Sequence, residues 1–439
     1  MSSRAAGRVR PVFLSRIAVA NYRCFDRRQD IELCPVTVIL GRNNSGKSAL
    51  VRAPVVFDTG IQTDSPAPLD LDLLGEDMLE SFNDLIYGNR PHGSVSVELE
   101  FNGQSEPPVR LAATVQHIDE YRTQVVSLLE FQVGGTRARL EWEPTDPPDE
   151  VSRYTVEAGG LSFSGVPVIF QGLLPADVRD PRLPEGLASE MATAARTIRG
   201  SYPAVRYFGP FRDRPQRRYR LPARMPAEVG VSGEYAAGIL ASDAARQQGR
   251  LIEQINQNLA DNLPGWTVGV VERGGMYSVV LTSRDDDTLS VNLADAGTGV
   301  AQELPIFVQR VVDVLDPPRR PVLEIIEQPE LHLHPAAHPA LADLYLNAAE
   351  RTGVRFLIET HSETLLLRLR RRIAEGTYPP DTVAIYFVDH RDGAATARRI
   401  RIDADGQLDY WPAGVFSEDY EETRALANAQ LARRDAVAG

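Results

Sequence analysis

Four short stretches of this 439-residue chain have the residue types and spacing to handle a nucleoside triphosphate. The first is Gly41-Arg42-Asn43-Asn44-Ser45-Gly46-Lys47-Ser48, which satisfies GxxxxGK[ST] in full between an apolar run, residues 36–40, and a segment with helical patterning. A buried strand feeding a glycine-rich turn and a helix start aims several backbone N–H groups at one anion, with the helix dipole behind them. Asn43, Asn44, Ser45 and Gly46 would form the cradle, Lys47 would reach the β- and γ-phosphates, and the Ser48 hydroxyl would coordinate Mg²⁺. Of the 47 basic residues, Lys47 is the single lysine and the other 46 are arginines. A compact ammonium on a slim stem does here what a broad guanidinium fork cannot.

The second stretch is Val322-Leu323-Glu324-Ile325-Ile326-Glu327-Gln328-Pro329-Glu330, an apolar strand ending in acids. Glu327 would act on Mg²⁺ at the carboxyl end of a parallel strand, directly or through water. Next comes Phe356-Leu357-Ile358-Glu359-Thr360-His361, placing His361 where an imidazole can hydrogen-bond a γ-phosphate oxygen. The fourth stretch, Asp295-Ala296-Gly297-Thr298-Gly299, opens a helix and makes a second anion-binding terminus. Two such termini on one chain make sense in a two-fold homodimer. Each ATP would then lie between the Lys47 loop of one copy and Gly297, Thr298 and Gly299 of the other.

The elements that must position these residues follow from periodicity. Residues 12–40 alternate as strands, and 49–58 read as a helix broken by Pro54. Antiparallel strands are expected at 94–101, 109–115, 125–133, 137–142 and 152–156, then a less regular, proline-rich stretch over 160–232. Residues 234–263 read as one helix ended by Pro264-Gly265, and short strands follow at 266–272, 277–282 and 289–293. Beyond them the order is helix 300–315, strand 321–326, helix 336–351, strand 355–358, helix 364–375 and strand 382–388, with an edge strand at 395–402 and a closing helix at 420–436. The fold class is therefore α/β, a mixed sheet with an antiparallel β lobe and a helical, irregular insertion. Its expected divisions are 1–100 (first part of the core, with the phosphate loop), 101–264 (insertion) and 265–439 (second part of the core and the tail).

Composition bounds the setting. An apolar content of 43% supports a substantial core, and no apolar run approaches a membrane span. Residues 1–10 lack a signal-peptide apolar block, so a cytoplasmic location is expected. Cys24 and Cys34 read as small apolar residues in neighbouring strands, not as a disulfide framework. A net charge of −13 confines any DNA contact to a local patch.

The order of phosphate loop, glycine turn, Glu-x-Pro-Glu-x-His-Leu-His-Pro and Thr-His-Ser resembles ABC-type ATPases of the SMC/RecF class, specifically the stand-alone overcoming-lysogenization-defect-like AAA ATPases of prokaryotes. Asn21-Tyr22-Arg23-Cys24-Phe25 is similar to that family's Asn-Phe-Arg-x-Phe, and 405–412 to a subfamily whose C-terminal domain has no assigned function. The resemblance implies an ATP-hydrolysing head that dimerises, with roles in DNA repair and metabolism or antiviral (phage) defence. Its implied partners are a nuclease or toxin effector, or DNA. The family's strand usually ends Asp-Glu, whereas this chain has Glu327-Gln328. Glutamine orients water but cannot take its proton, so either Gln328 supports slow hydrolysis or Glu330 is the base. An ATP-bound scaffold that does not turn over is the alternative. No serine precedes Gly297, and Asp84 is the candidate for the glutamine-loop position.

Other clusters have plainer readings. Glu330, His332, His334 and His338 have metal-like spacing, but Pro335 and Pro339 interrupt a helical ligand face. Between residues 196 and 224 lie nine arginines and one acid, Asp213, which suit either nucleic acid or a solvated face with intersubunit ion pairs. The arginines over 368–372 complement a helix C-terminus, and Asp285-Asp286-Asp287 reads as a turn.

Overall fold

The computed structural model describes residues 12–75, 78–103, 108–145, 151–259, 265–412, 422–430 and 433. In chain order the elements are β1 (Phe13–Ala20), β2 (Gln29–Glu32), β3 (Val36–Gly41), α1 (Lys47–Ile61), β4 (Ser94–Asn102), β5 (Val109–Ile118), β6 (Thr123–Val133), β7 (Thr136–Glu143), β8 (Arg153–Ala158), β9 (Leu161–Gln171), β10 (Leu174–Val178), α2 (Leu187–Ser201), β11 (Ala204–Phe208) and β12 (Tyr219–Arg220). They continue with α3 (Ala236–Arg246), α4 (Arg250–Asn258), β13 (Trp266–Arg273), β14 (Met276–Ser283), β15 (Ser290–Asn292), α5 (Thr298–Leu315), β16 (Val322–Glu327), α6 (His338–Thr352), β17 (Arg355–Glu359), α7 (Glu363–Ala374), β18 (Val383–Arg391) and β19 (Ala394–Ile400).

The functional residues are carried by a six-stranded sheet of order β11-β16-β17-β3-β18-β19, parallel except for β19. Its strands are apolar on both faces. Ile39, Leu323, Ile325 and Leu357 enter a core shared with α1 and a nine-stranded antiparallel sheet. Val36, Val38, Leu40, Ile326, Phe356 and Ile358 enter a second core under α3 to α7. Each such side chain stabilises the fold by about 1.5–3 kcal/mol through burial, which explains why these runs do not alternate with polar residues. The antiparallel sheet has order β10-β9-β8-β7-β6-β5-β4-β1-β2 and so continues across residue 100, where β4 pairs with β5.

Several sequence expectations need correction. Pro54 does not break α1, which runs unbroken to Ile61, and the Tyr202 hydroxyl donates to the Pro54 carbonyl at 2.7 Å. Burial of Leu50, Val51, Ala53, Val56 and Phe57 outweighs the lost hydrogen bond. The stretch 160–232 is not irregular throughout, since it holds β9, β10, α2 and β11. Pro167 and Pro175 obscured the strands, and both lie near the sheet's edge, with a register shift after Pro175. The helix expected over 234–263 is two helices, broken at Gln248 (φ 60°) and Gly249 (φ 75°). Pro264 lies outside the described residues. So do 420, 421, 431, 432 and 434–436 of the expected 420–436 helix, of which 422–430 is helical. Cys24 sits in a turn and Cys34 in the link before β3, both half-buried free thiols.

The far end of α1 meets the antiparallel lobe closely. Leu173 N–H donates to the Gly60 carbonyl at 2.7 Å, and a Cβ on Gly172 (φ 62°) would lie 2.0 Å from that oxygen.

Candidate nucleotide site

The apolar strand β3 ends at Gly41, and the chain turns through Asn44 (φ 60°) and Gly46 (φ 101°) before α1 starts at Lys47. Gly46 is obligatory twice over: its backbone is left-handed, and a Cβ would lie 2.4 Å from the Cys24 sulfur. The first turn of α1 holds no acid to satisfy its dipole, and the buried Ser45 hydroxyl has no hydrogen-bond partner. Lys47 is buried and folds over its own loop, its Nζ donating to the Arg42 carbonyl at 2.7 Å. Burial lowers the Lys47 pKa, against an opposing pull from Glu359. An orphaned hydroxyl, an unfilled helix start and a buried ammonium fit a phosphate chain.

The neighbouring strands bring the acids to the same edge. Glu327 and Glu359 are register partners at the ends of β16 and β17. Their surroundings differ. The Glu327 carboxylate takes a two-pronged pair from Arg52 of α1, Nε to Oε1 at 2.5 Å and the second nitrogen to Oε2 at 2.8 Å, and Oε1 also accepts from the Tyr207 hydroxyl at 2.9 Å. Glu359 stands next to the phosphate loop: the nearby Ser48 hydroxyl opposes the rise in its pKa, Lys47 Nζ is 4.0 Å away, and its buried Oε2 has no partner. Burial raises the Glu359 pKa. Ser48 and a carboxylate with a spare oxygen are the hard donors that Mg²⁺ requires, so the residues present fit that ion.

After β16 the chain turns sharply. Gln328 adopts φ 46°, and its N–H donates to the Glu359 carbonyl at 2.8 Å. Glu330 turns back, and its Oε1 accepts the His361 backbone N–H at 2.6 Å. That carboxylate therefore shapes the His361 loop. Its other oxygen is buried without a partner, and burial raises its pKa. His361 is half-buried, with its pKa lowered by burial and by the Lys47 charge, so the ring is held neutral. At α5, Gly297 and Thr298 are exposed, while a Cβ on Gly299 would lie 3.2 Å from the His332 carbonyl. The glycine turn and the loop after the acid strand are thus neighbours.

The remaining clusters resolve into structure. Asp84 accepts the Ser81 backbone N–H at 2.9 Å and caps its own short helix. His338 Nδ1 pairs with the Ser362 hydroxyl at 2.8 Å, and His334 caps Ala336. Arg206 pairs with Asp313 and Glu324 and Arg217 with Asp295, both within the chain. Arg368 and Arg372 both hold Asp343. Asp286 caps the turn at Thr288.

Residues 189–368 match a family described as "AAA domain, putative AbiEii toxin, Type IV TA system", a segment that includes the glycine turn, both acid strands and His361. The match covers 189–368 and does not include the phosphate loop at 41–48. Residues 379–426 match a family of unknown function, DUF3696. No curated protein matches the chain at a significant level. Among solved structures the chain is similar to an SMC head bound to the C-winged helix domain of ScpA (13% identity, TM-score 0.48, 89% of this chain and 98% of that one). It is also similar to the SMC head domain from Thermotoga maritima (12%, 0.41, 89% and 100%) and to the Pyrococcus furiosus Smc head bound to the C-terminal domain of ScpA (11%, 0.44, 89% and 96%). No helix among the described residues is long and apolar enough to cross a membrane.

Sequence reasoning missed Arg52, Tyr207 and Glu359. Arg52 and Tyr207 are far from Glu327 in sequence, so spacing carries no sign of the contact. Glu359 did leave a sign, since it ends an apolar strand just as Glu327 does.

Proposed function

We propose that the protein is an ATP-binding and ATP-hydrolysing dimerisation switch. Two ATP molecules close the dimer and hydrolysis reopens it, with the change passed to an effector protein such as a nuclease or toxin, or to DNA. The setting would be DNA metabolism or phage defence. The observation that carries the two-copy reading is Gly297. Its backbone (φ −58°, ψ 144°) suits any residue, and nothing lies within 4 Å of where a Cβ would stand. Among the described residues nothing requires a glycine there. A partner's triphosphate approaching the start of α5 does. Within one copy, Asn43 to Ser48 hold the phosphates, the neutral His361 donates to or accepts from a γ-phosphate group, and Gln328 orients water. Mg²⁺, when bound, offsets charge on the β- and γ-phosphates.

ATP favours closure only in proportion to its tighter binding to the closed pair. Light scattering with MgATP should report a doubled mass, and phosphate release should be multiple-turnover and absent in Lys47→Ala. A chain that stays monomeric at saturating MgATP overturns the proposal. Gln328 and the commitment of Glu330 to the His361 loop favour one second reading, an ATP-bound scaffold; dimers that form without turnover would support it.

A further inference from the structure

Resting on the reading that this site binds MgATP, the geometry points to Arg212 as a positioning residue for hydrolysis, one that fixes the turn carrying Gln328 from behind. Arg212 is one of the nine arginines between residues 196 and 224, and unlike a solvated or nucleic-acid-facing arginine it is only 6% exposed. The loop that carries it leaves the carboxyl end of β11, the strand parallel to and next to β16, and so starts at the edge of the sheet where the acids lie. Its backbone is tied down on both sides. Gly209 N–H donates to the Val231 carbonyl and Asp213 N–H to the Ser232 carbonyl, each at 2.9 Å, while the Arg212 carbonyl accepts from the Gln302 amide of α5 at 3.3 Å.

The side chain faces the turn after the acid strand. One terminal nitrogen donates to the Gln328 carbonyl at 3.5 Å, and the guanidinium carbon lies 5.0 Å from the centre of the Phe208 ring. Gln328, left-handed at φ 46°, is thereby held at both ends: its N–H by the Glu359 carbonyl and its own carbonyl by Arg212. A residue keeps that conformation only where its surroundings fix it.

The second observation is what Arg212 leaves unused. Its Nε and other terminal nitrogen are buried without partners, as are the Tyr345 hydroxyl and Oε2 of Glu330, and the three side chains act electrostatically on one another. A buried cation with idle donors is costly to the fold. Such a group is expected where charge develops during a reaction, and the chemistry beside it is the water that Gln328 would orient and the γ-phosphate that water attacks. Arg212 therefore acts through the Gln328 turn and through the positive field it adds behind that turn.

The test separates a transferring phosphoryl group from ground-state nucleotide and does not require turnover. Affinity of the full-length protein, with Mg²⁺ present, is measured for a non-hydrolysable ATP analogue and for ADP with aluminium fluoride, which mimics the γ-phosphoryl group in transfer. Arg212→Met should bind the ATP analogue within about twofold of wild type and lose about tenfold to a hundredfold in affinity for ADP with aluminium fluoride. Where turnover is measurable, kcat should fall by the same factor at unchanged KM. Should Arg212→Met not fold, Arg212→Lys decides: it keeps the buried charge but has no fork, and should show the same selective loss. Equal loss for both ligands, no loss for either, or loss for the ATP analogue alone overturns the assignment and leaves ATP binding standing. A wild type that binds the ATP analogue but not ADP with aluminium fluoride also overturns it and leaves the ATP-bound scaffold. Failure of the wild type to bind ATP at all overturns both.

Discussion

At the scale of single residues, Lys47 is the clearest case of a side chain chosen for its shape. Its ammonium is threaded between the Arg42 carbonyl and Glu359 in a buried channel. Lys47→Arg keeps the charge yet should abolish measurable ATP binding as fully as Lys47→Ala, read by equilibrium fluorescence titration. Asp58, on α1, illustrates burial acting on a charge: its carboxyl is pushed up to about 6 by desolvation, against a pull from Arg320. Between the unfolded value, near 4, and about 6 the folded state holds a proton that the unfolded state has lost. The stability this supplies is present at acid pH and is lost as pH rises through about 6. Asp58→Asn should therefore stabilise the protein by about 1 kcal/mol at pH 7.5, a figure discounted for partial exposure, and by almost nothing at pH 4, measured by urea unfolding. The phosphate loop and His361 could be read directly from the sequence because their chemistry is local. The pairing of Glu327 with Arg52 could not, because Arg52 approaches from another element.

Among the elements, the parallel strands were legible because both of their faces are buried and the apolar runs are continuous. The strand β11 was not. Its central Arg206 stands in register with Glu324 on β16, and both join Asp313 and the nearly inaccessible Arg310 in a charged cluster beneath the sheet. A charge in mid-strand reads as surface until its partner is seen. The same holds for Pro167 and Pro175, which suggest loops until the sheet's edge explains them. Contact between α1 and the lobe gives a sharper expectation. Gly172→Ala would place a methyl 2.0 Å from the Gly60 carbonyl on a left-handed backbone. It should cost about 2–4 kcal/mol in denaturant unfolding, while Gly159→Ala, also left-handed but in open space, costs about 1 kcal/mol.

For the molecule as a whole, the two-copy arrangement makes a prediction that no single-chain mechanism shares. Gly297→Asp puts a charge where a partner's triphosphate would lie, in space that the chain itself leaves free. Alone, Gly297→Asp and Lys47→Ala should each be inactive. Mixed in equal amounts they should regain about a quarter of wild-type phosphate release, because half the dimers are mixed and each mixed dimer carries one intact site. No recovery on mixing would place both residues in the same copy's site.

The seating of α1 has one further consequence. The helix that begins at Lys47 ends fifteen residues later with its Gly60 carbonyl fastened to Leu173, in the turn between β9 and β10. At 1.5 Å per residue it is a stiff rod about 22 Å long, anchored by Tyr202 along its length and by Arg52 to the acid strand. Rods of this kind do not absorb a push at one end. A sub-ångström shift as the phosphates seat must emerge at the outer edge of the antiparallel sheet, which makes that edge the place where a listening protein would sense whether nucleotide is present.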